Sequence, residues 1–273
     1  MNDSCKVAVL QLRTELDYEK TMKKAAALVR EAAETGADFA VLPEMFNCPY
    51  ARKYFSAFAR LAQENCAAEM ARWARQNAIY LVGGSIPELE GEKIYNTCFV
   101  FDRSGRQIAR HRKMHLFDVD LPGMRFHESD SFSAGEEITV FDTEFGRMGA
   151  AICFDVRFPE LFRAMAVRGA RAVFLPAQFN MTTGPAHWAD TLKLRAVDNE
   201  YFVVGASAAR YAGFAYECWG HSAVYDPFGI ALAQADETEQ ILYAELNLGR
   251  VDEVRAQLPT FLRLRRDIYE VAT

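Results

Sequence analysis

The sequence predicts an α/β fold built on two mixed β-sheets, and three observations carry the prediction. Residues 6–42 and residues 147–175 each repeat the strand, helix, strand grammar of a parallel crossover unit. Two other segments read as antiparallel hairpins, so the sheets cannot be purely parallel. No linker, low-complexity run or shift in composition divides the 273 residues, and the chain reads as a single domain over 1–273.

In the first unit, residues 6–12 form a short apolar run of strand character. Tyr18 to Glu34 follows with helical spacing of its apolar residues, Lys and Glu lie on the other face, and Gly36 stops the helix. Residues 39–42 form the second strand and run into Pro43 and Glu44. In a parallel unit, residues just past a strand's carboxyl end face a crevice, so Glu44 is placed at one. Residues 79–82 and 97–101 read as strands, the latter entering a hairpin through Asp102-Arg103-Ser104-Gly105. The second unit has a strand over 147–153 ending at Cys153, a helix over 159–168 capped by Gly169, and a strand over 172–175. Residues 187–197 are helical and 201–205 extended. Residues 222–225 turn back through Asp226-Pro227-Phe228-Gly229, and the chain ends in a basic, helix-like run over 263–266.

Composition narrows the function. The formal charge of −6 is spread along the chain and builds no basic stripe, which argues against nucleic acid as a partner. No apolar stretch reaches the roughly 18–20 residues of a membrane span, and the first residues show no export signal. Six cysteines, at 5, 48, 66, 98, 153 and 218, show neither CxxC pairs nor disulfide spacing and read as reduced thiols. The expected location is the cytoplasm.

Three features carry chemistry together: Glu44 after a buried strand, Lys113 opening Lys113-Met114-His115-Leu116-Phe117, and Cys153 in Gly149-Ala150-Ala151-Ile152-Cys153-Phe154-Asp155. Each alone is weak, since a glutamate after a strand is usually solvated and a lysine beside His and Arg usually belongs to a surface turn. Pro43 fixes the backbone before Glu44, and Gly149 with two alanines lets the Cys153 strand pack closely. Acyl transfer from an amide needs a nucleophile, a group to take its proton and return it to the leaving nitrogen, and donors for the oxyanion. Cys153, Glu44 and Lys113 match those needs in turn.

Leu42-Pro43-Glu44-Met45-Phe46, Lys113-Met114-His115-Leu116-Phe117 and Cys153-Phe154-Asp155-Val156-Arg157-Phe158-Pro159-Glu160 resemble, in order, the three signature segments of the nitrilase, or carbon–nitrogen hydrolase, superfamily. The likeness continues through Leu175-Pro176-Ala177-Gln178-Phe179-Asn180, Arg195-Ala196-Val197-Asp198-Asn199 and Trp219-Gly220-His221-Ser222. The resemblance implies a four-layer αββα sandwich that assembles into homo-oligomers, dimers or tetramers. It implies a thioester mechanism on Cys153 with Glu44 as base and Lys113 and the Phe154 N–H at the oxyanion. It also implies a second glutamate near the site, which by position is Glu128, and no cofactor and no metal.

Phe46-Asn47-Cys48-Pro49-Tyr50, Lys53-Tyr54-Phe55 and the run from Asn180 to Trp188 look like the ω-amidase branch of that superfamily, which cleaves the distal amide of short α-keto dicarboxylic acid monoamides. Such a substrate carries a carboxylate. Arg157 matches the position used for it in this branch and offers a planar fork, the bland alternative being an ion pair that holds its own turn. His115 lies two residues after Lys113, and if that segment is extended both face one side. Tyr50, Phe179 and Thr183 complete the candidates as a wall and hydroxyl donors. Cys48 adds a second thiol beside the expected pocket.

Other aliphatic amidases, N-carbamoyl amide hydrolases and true nitrilases share the trio and differ in the pocket walls. A metal hydrolase over His111, His115, His127 and Glu128 would have its cation repelled by Arg110, Arg112 and Lys113. A non-catalytic interaction module on the same fold would not need the trio intact.

Overall fold

The computed structural model describes residues 3–121, 124–211, 216–265 and 267–269. One sheet runs in the order β15 (Gln240–Asn247), β1 (Ser4–Gln11), β2 (Phe39–Val41), β3 (Tyr80–Val82), β5 (Lys93–Phe101) and β4 (Ile86–Glu90), with β6 (Gln107–Arg112) also paired to β5. The other runs β14 (Ala231–Gln234), β13 (Ala223–Tyr225), β12 (Phe202–Ser207), β11 (Ala172–Ala177), β10 (Gly146–Ala150) and β9 (Thr139–Thr143). β7 (Asp118–Leu121) and β8 (Met124–His127) form a separate small hairpin. Both sheets are mixed: β1, β2 and β3 are parallel, as are β10, β11 and β12, and antiparallel strands flank each trio.

Side-chain alternation along the strands builds the layers. Val7 and Val9 of β1 and Phe39 and Val41 of β2 point toward the second sheet, where the Phe39 ring lies 5.1 Å from Phe174 and 5.6 Å from Phe145. The alternate residues Ala8, Leu10 and Ala40 point the other way, onto α1 (Tyr18–Glu34) and α2 (Arg52–Gln76), meeting Met22, Ala25, Val29, Met70 and Trp73. On the far face of the second sheet lie α3 (Pro159–Val167) and α4 (Gly184–Asn199). Gly149 leaves room there for Met165 of α3, whose sulfur would lie 2.8 Å from a Cβ at that position. The architecture is the αββα sandwich, with the sheets face to face inside.

α1 spans the predicted residues because Asp17 caps it, its carboxylate accepting from the Lys20 N–H, and apolar residues at three- and four-residue spacing cover one face. Both expected hairpins form, as β5–β6 and β13–β14. Two expectations change. The strand over 147–153 ends at Ala150, and Cys153 instead opens a 3-10 turn, Cys153–Arg157. The physical cause is Asp155, whose buried carboxylate accepts from the Ile152 N–H and turns the chain out of the sheet. At the C-terminus α5 is Gly249–Gln257, and only a 3-10 turn, Phe261–Arg263, reaches the basic run; Arg266 lies outside the described residues.

Candidate active site

β2 and β10 present their carboxyl ends to one crevice, and the loops beyond them carry Glu44 and Cys153. The Pro43–Glu44 exit is clamped from β3: Gly84 adopts φ +59° and lies so close that a Cβ there would come within 2.2 Å of the Pro43 carbonyl oxygen. Ser85 next to it accepts the Met45 N–H on its hydroxyl and the Phe46 N–H on its carbonyl. Lys113 follows β6 directly, its N–H donating to the Asn96 carbonyl on β5. Met45 and Cys153 both have positive φ, +48° and +44°, a left-handed backbone that side chains other than glycine adopt only when the surroundings enforce it. Both stand at the one crevice, Met45 next to Glu44 in the chain.

Glu44, Lys113 and Glu128 are wholly buried. Lys113 Nζ donates to Glu44 Oε1 and to Glu128 Oε2, each at 2.8 Å, which engages two of its three ammonium hydrogens and leaves one for the site. Glu128 also accepts from the Tyr50 hydroxyl at 3.0 Å and from the Phe117 N–H at 2.7 Å. Glu44 Oε2 is buried with no hydrogen-bond partner among the described residues. The Cys153 thiol lies against this carboxyl and 3.9 Å from the Gln178 carbonyl oxygen.

Burial and the neighbouring charges shift each of these groups in a definite direction. Burial raises the Glu44 carboxyl above its ordinary value; Lys113 opposes and Glu128 adds to that rise. Burial would neutralise the Lys113 ammonium, but Glu128 and Glu44 outweigh it and hold the proton on. Burial and then Glu44 push the Cys153 thiol well up, with Lys113 only partly offsetting them. Burial and Glu44 thus disfavour the thiolate at Cys153, and the group that stands beside the thiol is the Glu44 carboxyl. The Phe154 N–H stands in the first turn of the Cys153–Arg157 3-10 helix, where amides have no intrahelical acceptor.

The substrate-binding candidates divide. Tyr50 lies in the site, its ring stacked 5.5 Å from Phe126 and tilted against Tyr216 at 4.7 Å. Arg157 is half-buried, its guanidinium over the rings of Phe179 at 5.3 Å and Phe154 at 5.7 Å. Among the described residues it has no carboxylate partner; its one polar contact is His187 Nδ1 at 3.3 Å, so the ion-pair alternative is not what the structure contains. Phe179 is buried against Trp188. Thr183 is not a free donor, because its hydroxyl and its N–H both donate to Asn180 Oδ1 at the start of α4.

His115 does not share the pocket with Lys113. The 113–115 segment is not extended, and the His115 ring stacks 3.5 Å from Phe158 with Nδ1 2.8 Å from Asp155 Oδ1. Asp155 in turn accepts from the His115 N–H, from the Ile152 N–H and contacts His111 Nε2 at 2.9 Å. Its carboxyl is held far below the ordinary range because these hydrogen bonds outweigh burial. One buried carboxylate thus ties the lysine loop to the cysteine loop. Cys48 is buried among Met45, Tyr50, Phe55 and Phe132, a packing thiol.

Sequence reasoning missed three residues. Asn96 donates to both glutamates, and a lone amide among Tyr95, Thr97 and Cys98 of a buried strand was the available signal. Gln178 donates to the Glu44 carbonyl at 2.6 Å, just past the end of β11. Tyr216 donates to the Gln178 carbonyl at 2.6 Å, and nothing in its local sequence marks it.

Comparison with known proteins agrees with this geometry. The family model for carbon-nitrogen hydrolases matches residues 6–256. The chain is 42% identical over 269 residues to omega-amidase NIT2 of Homo sapiens, covering 98% of each. It is similar to the crystal structure of Nit3 from Saccharomyces cerevisiae, with TM-score 0.90 at 37% identity and 97% of each chain covered. It is also similar to the NitFhit protein of C. elegans, with TM-score 0.93 at 32% identity, covering 99% of this chain and 67% of that one. A buried glutamate, lysine and cysteine at one crevice of an αββα sandwich, matched over nearly the whole chain, make this protein a member of the carbon–nitrogen hydrolase family, the nitrilase superfamily.

Proposed function

We propose that the protein hydrolyses the distal amide of short α-keto dicarboxylic acid monoamides, such as α-ketoglutaramate and α-ketosuccinamate, to the acid and ammonia. The observation that carries the reading is the pairing of the Glu44, Lys113 and Cys153 cluster with Arg157, a half-buried cation that has no carboxylate partner among the described residues. Its similarity to omega-amidase NIT2 supports the same choice.

Cys153 Sγ attacks the amide carbon while Glu44 takes the thiol proton on its free oxygen. The third Lys113 hydrogen and the Phe154 N–H receive the charge that develops on the carbonyl oxygen. Collapse breaks the C–N bond, Glu44 passes its proton to nitrogen, and ammonia leaves a thioester. Water then adds to that carbon as Glu44 removes its proton. The C–S bond breaks, the proton returns to sulfur and the acid departs. Glu128 holds Lys113 in register throughout. Each step uses groups of this chain, and no cofactor is required.

Arg157 receives the substrate carboxylate, with Phe179 and Tyr50 as walls. Ammonia release is measured on α-ketoglutaramate beside glutamine, an N-carbamoyl amino acid and a simple nitrile. Turnover of the keto acid amide alone supports the assignment, and its absence with turnover of another member moves the protein to a neighbouring branch. Arg157→Met should raise KM for the keto acid amide by about tenfold to a hundredfold, the worth of a charge-assisted hydrogen bond, while leaving a neutral amide nearly unaffected. Equal losses on both would remove Arg157 from carboxylate binding. We assign the protein to the cytoplasm as a homo-oligomer, dimer or tetramer.

A further inference from the structure

Asn96 is wholly buried on β5, between the two acids of the site. Its Nδ2 lies 2.8 Å from Glu44 Oε1 and 3.1 Å from Glu128 Oε1. Ionised carboxylates only accept, so the amide must present its NH2 end to both of them. Lys113 Nζ donates to the same Glu44 oxygen. Oε1 therefore holds two donors, and Oε2, which has no hydrogen-bond partner among the described residues, is the oxygen left open to the thiol that lies against this carboxyl. The Asn96 carbonyl also accepts the Lys113 N–H at 2.9 Å, so one residue sets the position of lysine and glutamates alike.

We propose that Asn96 is a positioning residue for the base: by donating to Glu44 and Glu128 at once it bridges the two acids and reserves one Glu44 oxygen for the Cys153 proton. The site holds two carboxylates against one ammonium. A neutral double donor stabilises both ionised forms without adding a charge that would bind the thiolate or the substrate. Lys113, Glu128 and Cys153 face Glu44 directly, with Tyr50, Tyr216 and Cys218 beyond them.

The inference rests on the proposed role of Glu44 as the base. Its test is the pH profile of kcat/KM for ammonia release from whichever amide of the panel is turned over, in Asn96→Asp, which keeps the shape, and Asn96→Leu, which keeps the volume. Removing the donor makes the Glu44 carboxylate less stable, so the acid limb should move to higher pH by about one unit in both, further with Asp. kcat should fall about tenfold or more and KM should stay within about threefold. An acid limb that does not move would overturn the proposal, even if kcat falls. Asn96→Asp decides alone if the leucine variant does not fold. Glu44→Gln run alongside separates the two claims: turnover surviving there removes the base reading itself, whereas turnover lost there with unmoved limbs in the Asn96 variants removes only Asn96.

Discussion

Cys153→Ala should lose turnover by about 10⁵-fold or more with its fold intact, because the alanine keeps the buried turn and removes only the sulfur on which the proposed thioester forms. Glu44→Gln should lose about 10³-fold or more, since the resting thiol is held protonated and no other described group stands ready to take its proton. Mass spectrometry of enzyme quenched during turnover should find an acyl adduct on Cys153 in wild type and none in either variant. The pH profile carries the same logic. The base must be ionised and its value is raised, so the acid limb of kcat/KM lies above the ordinary carboxylate value of about 4.3. With the thiol pushed up, no gain in rate should appear near pH ~8.5, where an ordinary thiol ionises. A rate that climbs through that region would mean that thiolate, and not base-assisted thiol, attacks.

Lys113→Met is the second large effect, and it strikes stability as well as activity. The variant leaves Glu44 and Glu128 buried without their ammonium, and breaking a buried ion pair from one side costs about 3–5 kcal/mol. The loss depends on pH with a definite sign. Burial already raises the Glu44 carboxyl and Lys113 opposes that rise, so without Lys113 its folded-state value lies further above the unfolded one, the folded state binds more protons and stability falls as pH rises. Chemical denaturation should find the variant nearest to wild type in mild acid and weakest at neutral pH, with turnover absent at both. A stability deficit that is flat across this range would mean that the two acids are not held by the lysine.

The sequence by itself determined the fold class and several of its elements, whereas the long helix Arg52–Gln76 and the edge strand β15 were not legible in it. Apolar spacing over residues 18–34, the Gly36 stop and the hairpin turn at residues 102–105 are local signals, and local signals survive without knowledge of the fold. The order of the Glu44, Lys113 and Cys153 segments was equally legible, since each sits at the end of a strand or just beyond one. Contacts between distant segments were not. Asn96 and Glu128 are 32 residues apart, and only the pairing of β5 with β6 and the course of the hairpin β7–β8 bring them to one carboxylate's length.

The tertiary structure also decided two matters of direction that periodicity misjudged. Cys153 was read as the last residue of a strand, but Asp155 takes the Ile152 N–H and turns it out on a left-handed backbone. His115 was read as a neighbour of Lys113 by alternation, which holds only in extended chain; here the same Asp155 captures His115 and turns its ring onto Phe158. A buried carboxylate must find donors wherever the fold offers them, because leaving it unsatisfied costs more than bending two loops. That requirement is set by burial, and burial belongs to the folded chain.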